Sequence, residues 1–257
     1  MKPFWKHAPE IAARLAGGRL LVTLDFDGTL AALAETPRLA RLKPEFRSAL
    51  KRLAACPGVE VFILSGRALP DLRGMVGLAG LYYGGNHGAE LRGPGLRRRY
   101  PAAVRAASAV KALAGELALR FPPGTGVLVE DKTFSASVHY RGLKPAYRRG
   151  FFAHMRALMA AGDGRLRWSR GHKVFEARPA GAPHKGDAAA LLLRRLRCAA
   201  ALAVGDDLTD EDMFRAFPDG VTVRVGCRGA SAAAYCLARQ AEVLKLLEFV
   251  RRTREGT

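Results

Sequence analysis

Leu20-Leu21-Val22-Thr23-Leu24-Asp25-Phe26-Asp27-Gly28-Thr29-Leu30 is the stretch from which the rest of the chain is read. An apolar, β-branched run predicts a buried parallel strand, and it breaks off at two aspartates two residues apart. On an extended strand Asp25 and Asp27 share one side while Phe26 points to the other. Gly28 permits a turn that residues with a Cβ resist, and Thr29 can hydrogen-bond the turned backbone. Two carboxylates so close repel unless a cation, a shared proton or an oxyanion-handling role holds them together.

Outward from this stretch the chain alternates. A short leading helix is expected at 9–15. Residues 44–54 place Phe46, Leu50 and Leu53 at helical spacing. Residues 59–64 predict a second buried strand ending in Ser65-Gly66-Arg67, followed by a helix at 68–75. A third strand at 81–83 leads into Gly84-Gly85-Asn86-His87-Gly88. The pattern resumes late in the chain with a helix at 185–196 and a strand at 199–204 ending in Gly205-Asp206-Asp207-Leu208-Thr209-Asp210-Glu211. A strand at 221–225 and a helix at 238–252 close it. Strand and helix in alternation give an open parallel sheet, whose ligands sit beyond the carboxyl ends of the strands. Thr209 is expected to cap the following helix, with Asp210 and Glu211 in its first turn; capping does not account for Asp206 and Asp207.

Between these halves the pattern changes. Pro94-Gly95 reads as a hairpin turn before a strand at 97–100, and 101–121 as a long helix. Strands follow at 126–129 and 134–140. A helix at 144–160 lines up Tyr147, Phe151, Met155, Leu158 and Met159, and short strands follow at 165–168 and 173–176. Antiparallel strands with two helices predict a separate α+β domain, and Pro179-Ala180-Gly181-Ala182-Pro183 is the return linker. The expected division is residues 1–91 and 181–257 as an α/β core and 92–180 as an inserted domain.

Half of the 257 residues are hydrophobic, enough to fill a large core. Cys56, Cys198, Cys227 and Cys236 show no paired metal spacing and read as reduced, structural thiols of a cytoplasmic protein. No signal peptide or membrane-length apolar window is apparent, so no membrane partner is expected. The net charge of +19 invites a polyanion reading. It is spread over solvated helix faces, with 17 lysines and arginines against 5 acids in 94–180. It comes without nucleic-acid motifs, and no nucleic-acid partner is expected.

Three strand ends thus supply Asp25 with Asp27, Ser65, and Asp206 with Asp207, and a helix start supplies Lys185. Such carboxylates suit a hard cation such as Mg²⁺. Ser65, Lys185 and turn amides are complementary to a phosphoryl group. That set meets the needs of phosphoryl transfer. A carboxylate can act as the nucleophile. The second aspartate, Asp27, can protonate the leaving alkoxide and then deprotonate water, so an aspartyl-phosphate would turn over.

Asp25-Phe26-Asp27-Gly28-Thr29, Ser65-Gly66-Arg67, Lys185-Gly186 and Gly205-Asp206-Asp207 resemble the four motifs of the haloacid-dehalogenase-like phosphohydrolases. The resemblance implies a Rossmann-like parallel-sheet core with an inserted C2-type cap. It implies Asp25 as nucleophile, Asp27 as general acid/base, and Ser65, Gly66 and Lys185 around the phosphate. Mg²⁺ would be held by Asp25, the Asp27 carbonyl and Asp206, with Asp207 acting through water. Within that superfamily the chain is most similar to the trehalose-6-phosphate phosphatases. The similarity rests on Gly85-Asn86-His87-Gly88-Ala89-Glu90, Val129-Glu130-Asp131-Lys132, Val138-His139-Tyr140-Arg141 and Gly205–Glu211. It implies a sugar site drawn from Asn86, His87, Glu130, Lys132, His139, Arg141 and Glu176, with His172 or Lys173 as a further member. The family's Gly-Lys pair is here Gly171-His172, with Lys173 one place late. Either His172 substitutes or the backbone bulges to present Lys173. His184 stands where the family more often has Asn or Asp. What is expected is a stand-alone, monomeric, Mg²⁺-dependent phosphatase of trehalose 6-phosphate, closing its cap over the substrate. A phosphatase of another sugar phosphate, sucrose 6-phosphate or a mannosyl-phosphoglycerate, is the runner-up. A polyanion binder with a vestigial core is the competing class.

Overall fold

The computed structural model describes residues 1–34, 36–162, 164–171 and 173–256. They form two compact units, Met1–Arg98 with Pro183–Thr257, and Arg99–Ala182.

The first unit begins with a two-residue strand β1 (Lys2–Pro3) and helix α1 (Ala8–Ala16). Strand β2 (Leu20–Leu24) follows, buried along its whole length. Helix α2 (Pro44–Ala54) starts with Pro44, carries Glu45 in its first turn and Lys51 and Arg52 in its last, and buries Phe46, Ala49, Leu50 and Leu53. Strand β3 (Val59–Leu64), helix α3 (Leu69–Val76), strand β4 (Tyr82–Gly85) and a hairpin of β5 (Glu90–Gly93) and β6 (Leu96–Arg99) come next.

In the second unit, helix α4 (Pro101–Arg120) leads to strands β7 (Leu128–Asp131) and β8 (Ala136–His139). Helix α5 (Arg148–Ala160) leads to strands β9 (Leu166–Gly171) and β10 (Val174–Pro179). The four strands form an antiparallel sheet in the order β7-β8-β10-β9. Its register gives the sheet two unlike faces. Val138, Phe175 and Ala177 are buried with Leu117, Phe151 and Met155 of α4 and α5. The alternate positions carry Glu130, Ser137, Glu176 and Ser169, which lie side by side across all four strands. Tyr147, expected on the inner side of the second helix, is exposed because α5 begins after it.

The chain then returns with α6 (Lys185–Arg195), β11 (Ala200–Gly205), α7 (Glu211–Ala216), β12 (Val221–Val225), β13 (Tyr235–Leu237) and α8 (Glu242–Glu255). The first unit's sheet has nine strands in the order β1-β13-β12-β11-β2-β3-β4-β5-β6. Pairing is parallel from β1 through β4 and antiparallel at β4–β5. Strands buried on both faces need continuous apolar runs, which Leu20–Leu24, Val59–Leu64 and Ala200–Gly205 supply.

Two expectations change here. Residues 92–98, assigned to the insert, belong to the first unit, because β5 pairs with β4 and extends its sheet; the second unit runs from 99 to 182. Cys227 and Cys236, read as reduced, form a disulfide. The β12–β13 register sets Arg224 opposite Cys236, and the turn at Gly226 carries Cys227 back beside it, a proximity that linear spacing does not reveal. Cys56 and Cys198 are free; burial raises both thiols, Cys198 to about 11, so they are inert. Among the described residues no helix is long and apolar enough to cross a membrane.

Candidate active site

Register brings the motif residues together. Leu24 of β2 pairs with Ile63 of β3 on one side and Val204 of β11 on the other. The residues just past these strands, Asp25, Ser65 and Asp206, therefore emerge along one edge of the sheet. Backbone hydrogen bonds extend the ladder: Asp25 N–H donates to Val204 O at 2.9 Å and Ser65 N–H to Gly84 O at 2.9 Å.

At the centre stands Lys185, the first residue of α6 and 3% exposed. Its Nζ donates to Asp25 Oδ1 at 2.6 Å and Asp210 Oδ1 at 2.7 Å. An ammonium at a helix N-terminus faces the positive end of the dipole. Burial adds to that penalty, and the two carboxylates overcome both, so the lysine's pKa is raised. His184 caps α6 through Nδ1, which accepts Asp187 N–H at 3.2 Å, while Asp187 Oδ2 accepts His184 N–H at 3.0 Å. Asn or Asp would do the same with a side-chain oxygen, so the departure at 184 preserves the cap.

Asp210, fully buried, was not among the expected site residues. Besides Lys185 it accepts the N–H groups of Asp206 and Asp207 on Oδ2, at 2.9 and 3.0 Å. Asp207, not Thr209, caps the turn that follows, with Oδ1 accepting Leu208 N–H at 2.7 Å. The sequence signal for Asp210 was its place one turn after Asp206, but a helix-start acid has the same spacing.

Oxygens of Asp25, Asp206 and Asp210 lie within 4.8 Å of one another. Burial first, then the charge of Asp210, pushes Asp206 up to about 7. Burial raises Asp25 well above the usual carboxylate range, against the lowering pull of Lys185. Two buried carboxylates and the half-buried Asp206 around one ammonium leave excess negative charge, and hard oxygen donors fit a small divalent cation. Both Asp210 oxygens already accept hydrogen bonds, so Asp25 and Asp206 are the carboxylates able to turn to a cation. Asp207, exposed and engaged in its cap, lies outside this trio. Gly28, at φ 88°, is required here: a Cβ would meet the Asp206 carboxylate at 2.1 Å. Thr29 Oγ1 donates to Asp206 Oδ1 at 3.2 Å rather than to the turned backbone. Gln240, another residue not expected at the site, holds the same turn by donating to Thr29 O at 2.8 Å and Leu30 O at 3.2 Å.

Asp27 departs from the alternation argued for a strand. β2 ends at Leu24 and the chain turns, so Asp27 meets Arg67 while Asp25 is buried against Lys185. Arg67 Nε and Nη2 donate to the Asp27 oxygens at 2.7 and 2.6 Å. The guanidinium also donates to Pro37 O at 2.8 Å and lies 5.4 Å from the Phe26 ring centroid. Ser65 is buried, its Oγ accepting Arg67 N–H at 3.2 Å. Gly66 lets the His87 ring approach, for a Cβ there would sit 2.5 Å from Nε2. Asn86 and His87, both buried with positive φ, turn the chain beside this loop: Asn86 N–H donates to Arg67 O and His87 N–H to Ser65 O.

In the second unit, the polar side of the sheet brings together Glu130, Lys132, His139 and Glu176. His139 Nε2 is 2.8 Å from Glu130 Oε2, and Lys132 Nζ is 3.3 Å from Glu176 Oε1. Ser137, which the sequence did not single out, donates to the same Glu176 oxygen at 3.4 Å. Arg141 is exposed in the turn after β8. Lys173 lies in the tight link between β9 and β10 at φ 59°, not on a strand, so strand parity does not govern its direction. His172 lies outside the described residues.

The nine-stranded sheet with acids at its strand ends has the fold of the haloacid-dehalogenase-like hydrolases. A haloacid dehalogenase-like hydrolase from Bacteroides thetaiotaomicron superposes with a TM-score of 0.63 at 18% identity, covering 90% of this chain and 99% of that one. The C-terminal domain of C. albicans trehalose-6-phosphate phosphatase does so at 0.79 and 22% identity, covering 95% and 96%.

Sequence narrows the class. The trehalose-phosphatase family model matches residues 23–234, and the chain belongs to that family. Trehalose-phosphate phosphatase of Mycobacterium bovis (strain BCG / Pasteur 1173P2) is 36% identical over 262 residues, covering 96% of this chain. The chain spans 65% of the length of that relative.

Proposed function

We propose that the chain is a Mg²⁺-dependent phosphatase that converts trehalose 6-phosphate to trehalose and phosphate through an aspartyl-phosphate on Asp25. The observation that carries this reading is the buried Lys185 bridging Asp25 and Asp210, with Asp206 beside them. Family membership supports the substrate.

Asp25 attacks phosphorus in line with the departing sugar oxygen. Lys185 and the Ser65 hydroxyl draw charge from the phosphoryl oxygens. The Asp25 and Asp206 carboxylates, the Asp27 carbonyl and, through water, Asp207 would hold a Mg²⁺ ion, which would supply further positive charge against the carboxylate excess. Asp27 gives a proton to the sugar alkoxide, then takes one from the water that attacks the phosphoenzyme. Arg67, donating to both Asp27 oxygens, positions that carboxylate. Glu130, Lys132, His139, Arg141, Lys173 and Glu176, with Asn86 and His87, are proposed to read the sugar hydroxyls. The proposed setting is a cytoplasmic monomer.

Phosphate release from a panel of phosphorylated sugars in Mg²⁺ tests this. Trehalose 6-phosphate should be preferred; preference for sucrose 6-phosphate or a mannosyl-phosphoglycerate would reassign the sugar. Asp25→Asn should lower kcat by at least about 10³-fold, and substantial residual turnover would remove the nucleophile.

A further inference from the structure

The Cys227–Cys236 disulfide closes the segment between β12 and β13, and that segment is held by the residue next to Asp210. Glu211 Oε1 accepts the Ser231 hydroxyl at 2.6 Å and Oε2 accepts Ala232 N–H at 2.7 Å. Arg224 Nη1 donates to Ala230 O at 3.0 Å and lies 3.9 Å from Glu211. Ala234 N–H donates to Thr222 Oγ1 at 2.9 Å. One residue before Glu211, Asp210 holds Lys185 and the amides of Asp206 and Asp207. A continuous set of contacts thus joins the disulfide to the catalytic edge.

Access favours exchange. Cys227 is exposed while Cys236 is buried. Cys227 lines a cleft of about 520 Å³ together with Arg224, Arg228 and Ala238. Nearby guanidinium groups favour thiolates, both attacking and departing.

We propose that Cys227–Cys236 is a reversible redox site, reduced by a dithiol, whose state sets how firmly Glu211 and the Asp206–Asp210 turn are held. One thiolate of the dithiol attacks Cys227 Sγ, the S–S bond breaks, and Cys236 leaves as thiolate. The reagent's second thiol then attacks the mixed disulfide, releasing Cys227 and closing a disulfide in the reagent. The protein pair gains two electrons and two protons, and the dithiol loses them. A bond that can be reached at its Cys227 sulfur is of the labile, regulatory kind rather than the structural one.

The test uses the full chain, oxidised and after dithiothreitol. Thiol alkylation in denaturant should count two reactive cysteines before reduction and four after; four before, following oxidation, would overturn the site. Reduction should lower Tm by roughly 5–10 °C. Amide exchange reads the coupling without reference to substrate. Protection should fall at Ala232 and Ala234 and also at Asp206 and Asp207. Phosphate release should slow about fivefold and recover on reoxidation. Cys227→Ser, which leaves Cys236 as a buried thiol, should behave like the reduced protein in every redox state. Unchanged exchange at Asp206 and Asp207 with unchanged turnover would reduce the disulfide to a staple and end the regulatory proposal. An inactive protein whose exchange still follows the redox state would instead count against the proposed reaction alone.

Discussion

Two charge networks in this molecule solve different problems. Around Lys185, two ion pairs of 2.6 and 2.7 Å are sealed almost completely from solvent. On the second unit's sheet, Glu130–His139 and Lys132–Glu176 pair at 2.8 and 3.3 Å with side chains 10–24% exposed. The first set is tightly linked: Lys185 bridges both carboxylates, Asp210 also holds two backbone amides, and removing the lysine strands both acids in low dielectric. The second is less completely sealed, so its members can exchange one another for a ligand's hydroxyls at lower cost. A fixed electrostatic cradle suits bond breaking, and an adaptable polar face suits recognition.

Lys185→Met is the hardest test of that contrast. It leaves Asp25 and Asp210 buried without their cation, and should cost about 3–5 kcal/mol in urea unfolding besides abolishing turnover. Lys132→Met, in the wetter pair, should cost no more than about 1 kcal/mol. Equal losses would erase the distinction.

Proton linkage sharpens it further. Asp206 is raised to about 7 in the folded protein, from 3.8, so the folded state holds its proton more tightly than the unfolded one. In metal-free protein that contribution is full below about pH 4 and lost as pH rises to about 7, a decline of at most roughly 4 kcal/mol. A divalent cation competes with the same proton. Adding Mg²⁺ should therefore raise Tm more at pH 8 than at pH 6, and a shift independent of pH would remove Asp206 from the cation's ligands.

On the sheet face the expected effect is smaller and selective. Glu130→Ala should lower kcat/KM for trehalose 6-phosphate by roughly 10- to 100-fold. It should leave a small aryl phosphate nearly unaffected. Equal losses on both substrates would mean that this face does not read the sugar.

The two regions were also unequally legible. The core's strands, and the convergence of Asp25, Ser65 and Asp206, follow from apolar runs that end in chemistry, because parallel strands expose ligands at one edge. Asp210 was hidden, since an acid in a first helical turn is the same letter whether it caps or anchors a buried lysine. The Cys227–Cys236 bond depends on strand register, which no local pattern encodes. In the second unit, strand alternation was visible at 134–140. Ser137 still escaped notice because small hydroxyl residues suit either face of a strand. Lys173 was misplaced by the opposite error, in which parity was applied to a residue that lies in a turn.

The mildest prediction concerns how the buried lysine is delivered. His184 places Lys185 by capping α6, and its acceptor is the imidazole Nδ1. His184→Asn supplies an oxygen in the same role, so stability and phosphate release should stay within about twofold of the parent. His184→Ala removes the acceptor and should cost about 1 kcal/mol in urea unfolding. Equal stability of the Ala and Asn variants would show that the side chain at 184 is not what starts the helix.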